Sequence, residues 1–318
     1  MKRALLFAAL ALAASSASAQ YPSRAVTLVV GFAPGGGTDT VARVMQKPLG
    51  DRLGQQVVVD NKPGAGGNIA TDMVAKSAPD GYTVMLANVG SLTVAPHLVK
   101  DLPYDPLRDL APVSMGVIFP NLVVVHASVP ADTLADFIRL AKDKPGHYTY
   151  GSSGIGGAGH LAGELLKMMA KIDLVHVPFK GGGPAMQAML GGQIHAYMAT
   201  PVAAGPHVKA GKAKALATTG PQRDPLTPEV PTVAESGYPG YQATNWYAFV
   251  VAAKTPKEIV ARLNRDIVAT LRDPHVIELL RRQGVEPRPG TPEELAQFMR
   301  SEHQTWGRVV RDAGIKIE

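Results

Sequence analysis

Val26-Thr27-Leu28-Val29-Val30-Gly31-Phe32-Ala33-Pro34-Gly35-Gly36-Gly37-Thr38-Asp39 runs directly into Val41, Val44, Met45 and Leu49. The opening residues form a short, strongly apolar and β-branched run, and the later apolar residues recur at helical spacing, so the stretch predicts strand, glycine loop and helix. Three successive glycines let backbone approach a ligand closely, and the helix that follows offers the positive end of its dipole. Such a loop suits an anion, although a plain tight βα turn uses the same glycines. A second stretch has the same form. Gly151-Ser152-Ser153-Gly154-Ile155-Gly156-Gly157-Ala158-Gly159-His160 follows the strand-like 148–150 and precedes Leu161, Leu165, Leu166 and Met169 at helical spacing. Two glycine-rich βα loops in one chain predict two lobes that face one ligand.

Between and beyond these loops, strands alternate with helices, which predicts a parallel sheet. In the first lobe the expected elements are a helix to about Leu53, kinked or ended early by Pro48, then strand 56–60, turn 61–68, helix 69–77 and strand 82–87. Asn88 and Ser91 lie just past that last strand, at the carboxyl edge where open α/β sheets bind ligands. Residues 102–112 are turn-rich and are expected to be irregular. A very apolar strand, 122–126, restarts the pattern: helix 134–142, strand 148–150, the second glycine loop, helix 161–170, strand 174–177, helix 184–190, and strands 194–199 and 213–218. The proline-rich stretch 221–239 reads as a linker back to the first lobe, and 247–251 as the returning strand. The lobes are therefore expected at 20–122 plus 246–318 and at 123–245, with two crossings forming a hinge. Thr255-Pro256 with Glu258, Asp273-Pro274, and Thr291-Pro292 with Glu294 are helix-start signals and carry no chemistry of their own.

At the amino end, Lys2-Arg3, the apolar run 4–14 and Ser15-Ser16-Ala17-Ser18-Ala19 read as a signal peptide over 1–19. The run is far shorter than the roughly 20 residues of a membrane span. Without it the formal charge falls from +6 to +4, because two bases and no acids are removed. So mild and scattered a charge excludes nucleic acid as a partner. With no cysteine there is no disulfide, no thiolate metal site and no lipid-modified cysteine. The composition, 46% hydrophobic and 18% charged, is that of a folded globular protein, and with the signal removed the chain is expected to be soluble and exported.

Enzymatic readings fit the residues less well. Gly154-x-Gly156-x-x-Gly159 is a literal dinucleotide fingerprint, but the next strand ends in Lys180 where the ribose-binding acid belongs. Ser152 and Ser153 lie near His160, which leaves a hydrolase as the rival reading, yet neither serine stands in a Gly-x-Ser-x-Gly elbow. His160 itself suits three roles: helix cap, ligand contact or packing. Trp246, beside Asn245 at the return crossing, suits either a ligand in the cleft or packing of the hinge. No His-x-x-x-His pair or calcium loop predicts a metal.

The whole 299-residue chain after the signal resembles the receptors of tripartite tricarboxylate transporters, the periplasmic solute-binding family often called Bug proteins. The resemblance is carried by Tyr21-Pro22-Ser23-Arg24, Phe32 to Asp39, Asn61-Lys62-Pro63-Gly64-Ala65-Gly66-Gly67-Asn68, Pro79-Asp80-Gly81-Tyr82, Leu102-Pro103-Tyr104-Asp105-Pro106, His176-Val177-Pro178-Phe179-Lys180-Gly181 and Val230-Pro231-Thr232-Val233-Ala234-Glu235. It implies an α/β, type II-like periplasmic-binding-protein clamshell of two lobes, with mixed, mainly parallel sheets. It also implies a small carboxylate in the cleft, a di- or tricarboxylate or an aromatic one, membrane transporter subunits as partners with a ligand sensor without transport role as the alternative, a periplasmic location, and no cofactor, metal or catalytic residue. A monomer is expected. The family's two loops map to 32–39 and 152–160. The chain departs from many relatives at Gly157-Ala158-Gly159, where they carry a hydroxyl residue before the histidine, and at Ala95-Pro96, where they carry Asn-Pro. The site expected from the residues and the resemblance together comprises Phe32, Ala33, Pro34, Gly35, Gly36, Thr38 and Asp39; Asn88 and Ser91; Ser152, Ser153, Gly154, Gly156 and His160; and Phe179, Thr200, Asn245 and Trp246.

Overall fold

A computed structural model describes residues 21–225 and 227–312, so the expected signal segment lies outside the described residues. The chain opens with strand β1 (Val26–Val30), helix α1 (Gly37–Leu53), β2 (Val57–Asn61), α2 (Asn68–Ala75), β3 (Thr83–Asn88), a wide π-type turn at Gly90–Val94, short α3 (Ala95–Leu98) and the long β4 (Leu110–Pro120). A second series follows: β5 (Leu122–His126), α4 (Leu134–Asp143), β6 (Thr149–Ser152), α5 (Ala158–Ala170), β7 (Val175–Pro178), α6 (Gly182–Leu190), β8 (Ala196–Ala199), α7 (Pro201–Lys209) and β9 (Ala213–Thr218). The chain then returns through β10 (Thr244–Ala252) and finishes with α8 (Lys257–Leu271), α9 (Pro274–Arg282), the two-residue β11 (Glu286–Pro287) and α10 (Pro292–Asp312).

Two sheets result, ordered β11-β4-β10-β3-β1-β2 and β7-β6-β8-β5-β9. Both are mixed, as expected, but parallel pairs are fewer than strict alternation predicted: four against five antiparallel ones. The reason is the crossing strands. β4, β10 and β5 enter their sheets without a right-handed helical crossover, and strands joined that way pair antiparallel. β4 itself lies where irregular chain was expected up to Pro112, because Pro112, Gly116 and Pro120 mask its pattern. It still pairs with β10 along nearly its whole length, through two register shifts.

Each sheet is covered on both faces, which is why β1 and β10 are mostly apolar, with Thr27 in β1 and Thr244 and Asn245 in β10 as exceptions, rather than alternating. In β10 the two faces separate cleanly. Tyr247, Phe249 and Val251 join α1, α8 and α9 in one core, while Trp246, Ala248 and Val250 join α10 in the other. The second sheet packs β5 residues Val123 and Val125 under α4 and α5, and Leu122 and Val124 under α6. Helix α1 passes through Pro48 without ending and stops at Leu53, where Gly54 takes the left-handed conformation (φ 75°) and its N–H bonds the Gly50 carbonyl. The apolar stripe Val41, Met45, Leu49 and Leu53 holds it to the sheet across the proline. Three outer helices carry side-chain caps, Thr133 with Asp136 on α4, Asp273 on α9, and Thr291 with Glu294 before α10, whereas α2 starts on Gly67 and α8 on Pro256 without one.

The sheets are joined at Asn121, between β4 and β5, and along 219–243 on the return. Thr219 ties the two crossings together. Its hydroxyl oxygen accepts from the Asn121 N–H (2.9 Å), its hydroxyl donates to the Ala243 carbonyl (2.7 Å), and its own N–H bonds the Asn121 carbonyl (2.9 Å). Thr219 is fully buried. Thr219→Val keeps the shape but strips partners from a buried N–H and a buried C=O, so it is expected to destabilise the protein by about 2–4 kcal/mol in denaturant titration.

Candidate functional site

Four strand-to-helix junctions point at one small cavity between the sheets. β1 leads through the first glycine loop into α1, β6 through the second into α5, β7 through residues 179–181 into α6, and β8 through Thr200 into α7. The cavity is lined by Phe32, Gly36, Gly37 and Thr38 from the first junction, Ser153 and Ala158 from the second, Gly182 from the third and Thr200 from the fourth. Asn88, at the end of β3, and Asn245 and Tyr247 of β10 complete it. Register explains the last group: Tyr247 pairs directly opposite Asn88.

Three of these four helices start on glycine (Gly36, Gly157 and Gly181) with no side chain accepting from their first N–H groups. Only Thr200 caps its own helix, accepting from the Ala203 N–H at 3.3 Å. The contrast with the capped outer helices is chemical. Orphan N–H groups and the positive ends of several dipoles gather around a cavity that no charged side chain lines. Hydroxyls of Thr38, Ser153, Thr200 and Tyr247 and the amides of Asn88 and Asn245 add neutral hydrogen-bonding groups. The side-chain oxygens of Asn88 and Asn245 have no partner, and the Asn245 Nδ2 donates to Asn121 Oδ1 at 3.3 Å. Burial pushes the Tyr247 phenol well above its ordinary range, so it stays protonated.

The first loop is braced from behind. Asp39, buried in the first turn of α1, accepts from the Gly35 N–H (3.0 Å), Arg43 Nε (2.9 Å) and Asn61 Nδ2 (3.0 Å). Burial alone pushes its carboxyl up, but the bonds from Arg43, Gly35 and Asn61 outweigh it and hold Asp39 below the usual carboxylate range. Asn61 Nδ2 also donates to the Phe32 carbonyl (2.9 Å), which ties the loop to β2.

A different network braces the second loop. The Gly156 N–H donates to His160 Nδ1 (3.1 Å), and the Gly154 N–H donates to Ser152 Oγ (3.2 Å), which also lies 2.7 Å from His176 Nε2. The two imidazoles stack at 4.2 Å, and Tyr150 also stacks on His176 at 4.9 Å. Burial lowers both pKa values, that of His176 to about 3, with the neighbouring His160 a further cause there. Both rings are therefore neutral near pH 7, which His160 must be in order to accept from Gly156.

The cleft is shut in this structure, leaving about 20 Å³ for the centres of water molecules. The lobes meet backbone to backbone: the Ala33 N–H donates to the Lys180 carbonyl at 3.0 Å, and a Cβ on Gly36 would lie 3.1 Å from the Gly182 nitrogen. Gly36 has an ordinary φ of −93°, so the close approach requires glycine there, not an unusual backbone angle.

Of the residues expected from sequence, Phe32, Gly36, Thr38, Asn88, Ser153, Thr200 and Asn245 line the cavity. Others stand behind it. Ala33 makes the bond between the lobes, and Pro34 and Gly35 are exposed on the loop. Asp39, Ser152, Gly154, Gly156 and His160 belong to the braces. Ser91 lies beneath Asn88, donating to its carbonyl at 3.4 Å, and Phe179 packs beside Gly151. Trp246 faces the opposite core, fully buried, with its N–H on Glu302 (2.9 Å) and its ring against Phe298. Of its two readings, packing is the one the structure realises. Gly37 and Ala158, which fall within the two expected loops, also line the cavity, and so do Gly182 and Tyr247, which are not among the expected residues. Strand alternation was the available signal for Tyr247, since it shares a face with Asn245 while Trp246 points the other way. For the rival hydrolase the geometry is poor: Ser152, the serine with an imidazole partner, is fully buried and already bonded within its loop. Among the described residues no three metal-ligating side chains cluster.

Two α/β lobes on a double crossing, shut over a cavity at converging helix N-termini, define a two-lobe solute-binding protein. Residues 41–315 match the tripartite tricarboxylate transporter family receptor, and the chain belongs to that family. Protein BugT of Bordetella pertussis is 38% identical over 99% of this chain and 97% of its own length. Among solved structures, periplasmic binding protein BugD is 33% identical with a TM-score of 0.91, over 94% of this chain and all of its own. MatC from Rhodopseudomonas palustris, solved with bound malate, is 36% identical with a TM-score of 0.88, over 91% and 100%. An R. palustris protein solved with adipate is 36% identical with a TM-score of 0.90, over 93% and 99%. Members of this family are periplasmic solute-binding receptors. No helix among the described residues is long and apolar enough to cross a membrane.

Two outcomes follow from the braces and the seam. Gly36→Val is expected to leave the fold intact while holding the lobes apart at Gly182, lowering ligand affinity at least about tenfold in calorimetry. Buried histidines, His176 among them, contribute to the pH dependence. The folded pKa of His176 lies below the unfolded value of about 6.5, so the unfolded chain binds more protons in between, and stability present above pH 6.5 is lost as pH falls towards 3. His176→Gln is expected to remove roughly 2–4 kcal/mol of that acid-side loss, allowing for solvent screening, when unfolding is measured across this range.

Proposed function

We propose that this receptor captures a small carboxylate in the cavity between its lobes and delivers it to the membrane subunits of a tripartite tricarboxylate transporter. The observation that carries this reading is the convergence of four helix N-termini, three of them glycine-capped, on a cavity with no charged side chain. A carboxylate supplies acceptors to several orphan N–H groups at once, and charge-assisted bonds of this kind are stronger than neutral ones. The site groups are Gly36, Gly37, Thr38, Ser153, Ala158, Gly182 and Thr200, with Asn88, Asn245 and Tyr247 setting the side walls. Relatives of 36% identity solved with adipate and malate support the ligand class.

In this reading the protein is a receptor and not an enzyme, works in the periplasm after loss of residues 1–19, and acts as a monomer without cofactor or metal. The lobes open at the Asn121–Thr219–Ala243 crossing to admit ligand, and closure brings both halves of the donor set around it. Ligand therefore shifts the population towards the closed form.

Small-angle scattering with and without saturating adipate or malate tests the clamp, and the expected outcome is a smaller radius of gyration with ligand. Recovery of a chemically altered ligand would overturn the receptor reading. Because the anion is held by backbone and hydroxyl groups in a closed cleft, affinity is expected to change less than about twofold as the Debye length falls from about 10 Å at 0.1 M salt to about 3 Å at 1 M. A steep salt dependence in calorimetry would point instead to a cationic side chain.

A further inference from the structure

A second cavity lies on the same seam between the lobes. It has a volume of about 360 Å³ and is walled by Ala65, Ile69, Leu98 and Leu102 of the first lobe and Ile155 of the second glycine loop. The two cavities are one residue apart. A Cβ on Gly90 would lie 2.9 Å from the Asn88 amide, which lines the first cavity, and 2.6 Å from the carbonyl of Gly156, which lines the second. Gly90 and Gly156, residues of opposite lobes, meet where the two spaces approach each other.

Resting on the carboxylate site proposed above, we propose that the ligand places its carboxylate in the neutral cavity and an apolar tail in this second one. The substrate class is then a monocarboxylate with an alkyl or aryl tail, in preference to a dicarboxylate. Three observations carry this. First, the head cavity is too small for anything beyond a carboxylate group, so the rest of a ligand must lie elsewhere along the seam. Second, the adjoining space is apolar and within the usual size range of a ligand pocket, and Ile69 stands 57% exposed in its wall, where a tail would cover it. Third, the charge there has the wrong sign for a second carboxylate. Asp72 is the charged residue that lines this cavity, and Lys76, 2.6 Å from it, is already paired with it. A distal carboxylate would lose its water, meet no cation and face Asp72, whereas a methyl or phenyl end would only lose contact with water.

Hexanoate and adipate test the proposal, because they have the same number of carbons and differ only at the far end. Calorimetry on the mature protein is expected to give hexanoate an affinity at least about tenfold higher than adipate. Ile69→Lys, a change at an exposed side chain, places a cation in the wall and is expected to reverse that order, with circular dichroism checking that the fold is kept. Adipate binding as tightly as hexanoate or more tightly, or an Ile69→Lys protein with an unchanged ratio, would overturn the tail site alone. Failure of both acids to bind would overturn the carboxylate reading together with it.

Discussion

The structure depends on an unfinished set of hydrogen bonds. Helices α1, α5 and α6 each begin on a glycine that offers no side-chain oxygen to the first N–H groups, and all three begin at the same place. An orphan donor facing water costs little, but one closed off from water must find an acceptor. With the lobes shut, these donors are closed off from bulk solvent together. The architecture around them fits the shut form: two sheets with strand ends aimed at each other, a threonine-centred crossing between them, and glycines at the seam so that backbone meets backbone. The site is thus made of main chain first, and its side chains supply walls and hydroxyls.

A site made of backbone has to be held from behind, and the two loops are held by different chemistry. The first hangs on a charge: Asp39 collects an amide, a guanidinium and a loop N–H, and remains ionised because those three bonds outweigh its burial. The second hangs on neutral imidazoles, of which His160 accepts from the Gly156 N–H only while it is unprotonated. Neither brace adds a formal charge to the cavity wall. The positive potential that meets a ligand comes from helix ends, which do not titrate.

Much of this was legible in the chain. The βα periodicity, both glycine loops and the return crossing stand out because hydrophobic spacing and glycine clusters are local signals, and those signals fix where helix N-termini fall. What was hidden is non-local. β4 carries two prolines and a glycine that read as loop, and only its neighbours β10 and β11 make it a strand. Helix α7 holds Pro201 and Pro206, so its pattern was equally poor, although Thr200 in front of it was singled out. Within the loops, sequence gives the neighbourhood but not the facing. Asp39 and His160 share their loops with cavity residues and yet serve as braces. Trp246 lies next to Asn245 on the strand, and the pleat sends it to the other side of the sheet. Gly182 belongs to a turn whose importance comes only from the opposite lobe pressing against it.

Trp246 has one more consequence. It and Trp306 are the two tryptophans of the chain, and both indole N–H groups donate to a single oxygen of Glu302, at 2.9 and 3.1 Å. Neither indole lines the cavity between the lobes. The intrinsic emission of this protein therefore comes from a carboxylate-bound pair beneath the C-terminal helix, on the far face of β10 from the ligand. A change in that emission on adding a ligand would register strain passed through the returning strand, and a silent spectrum would say nothing about whether the cleft is filled.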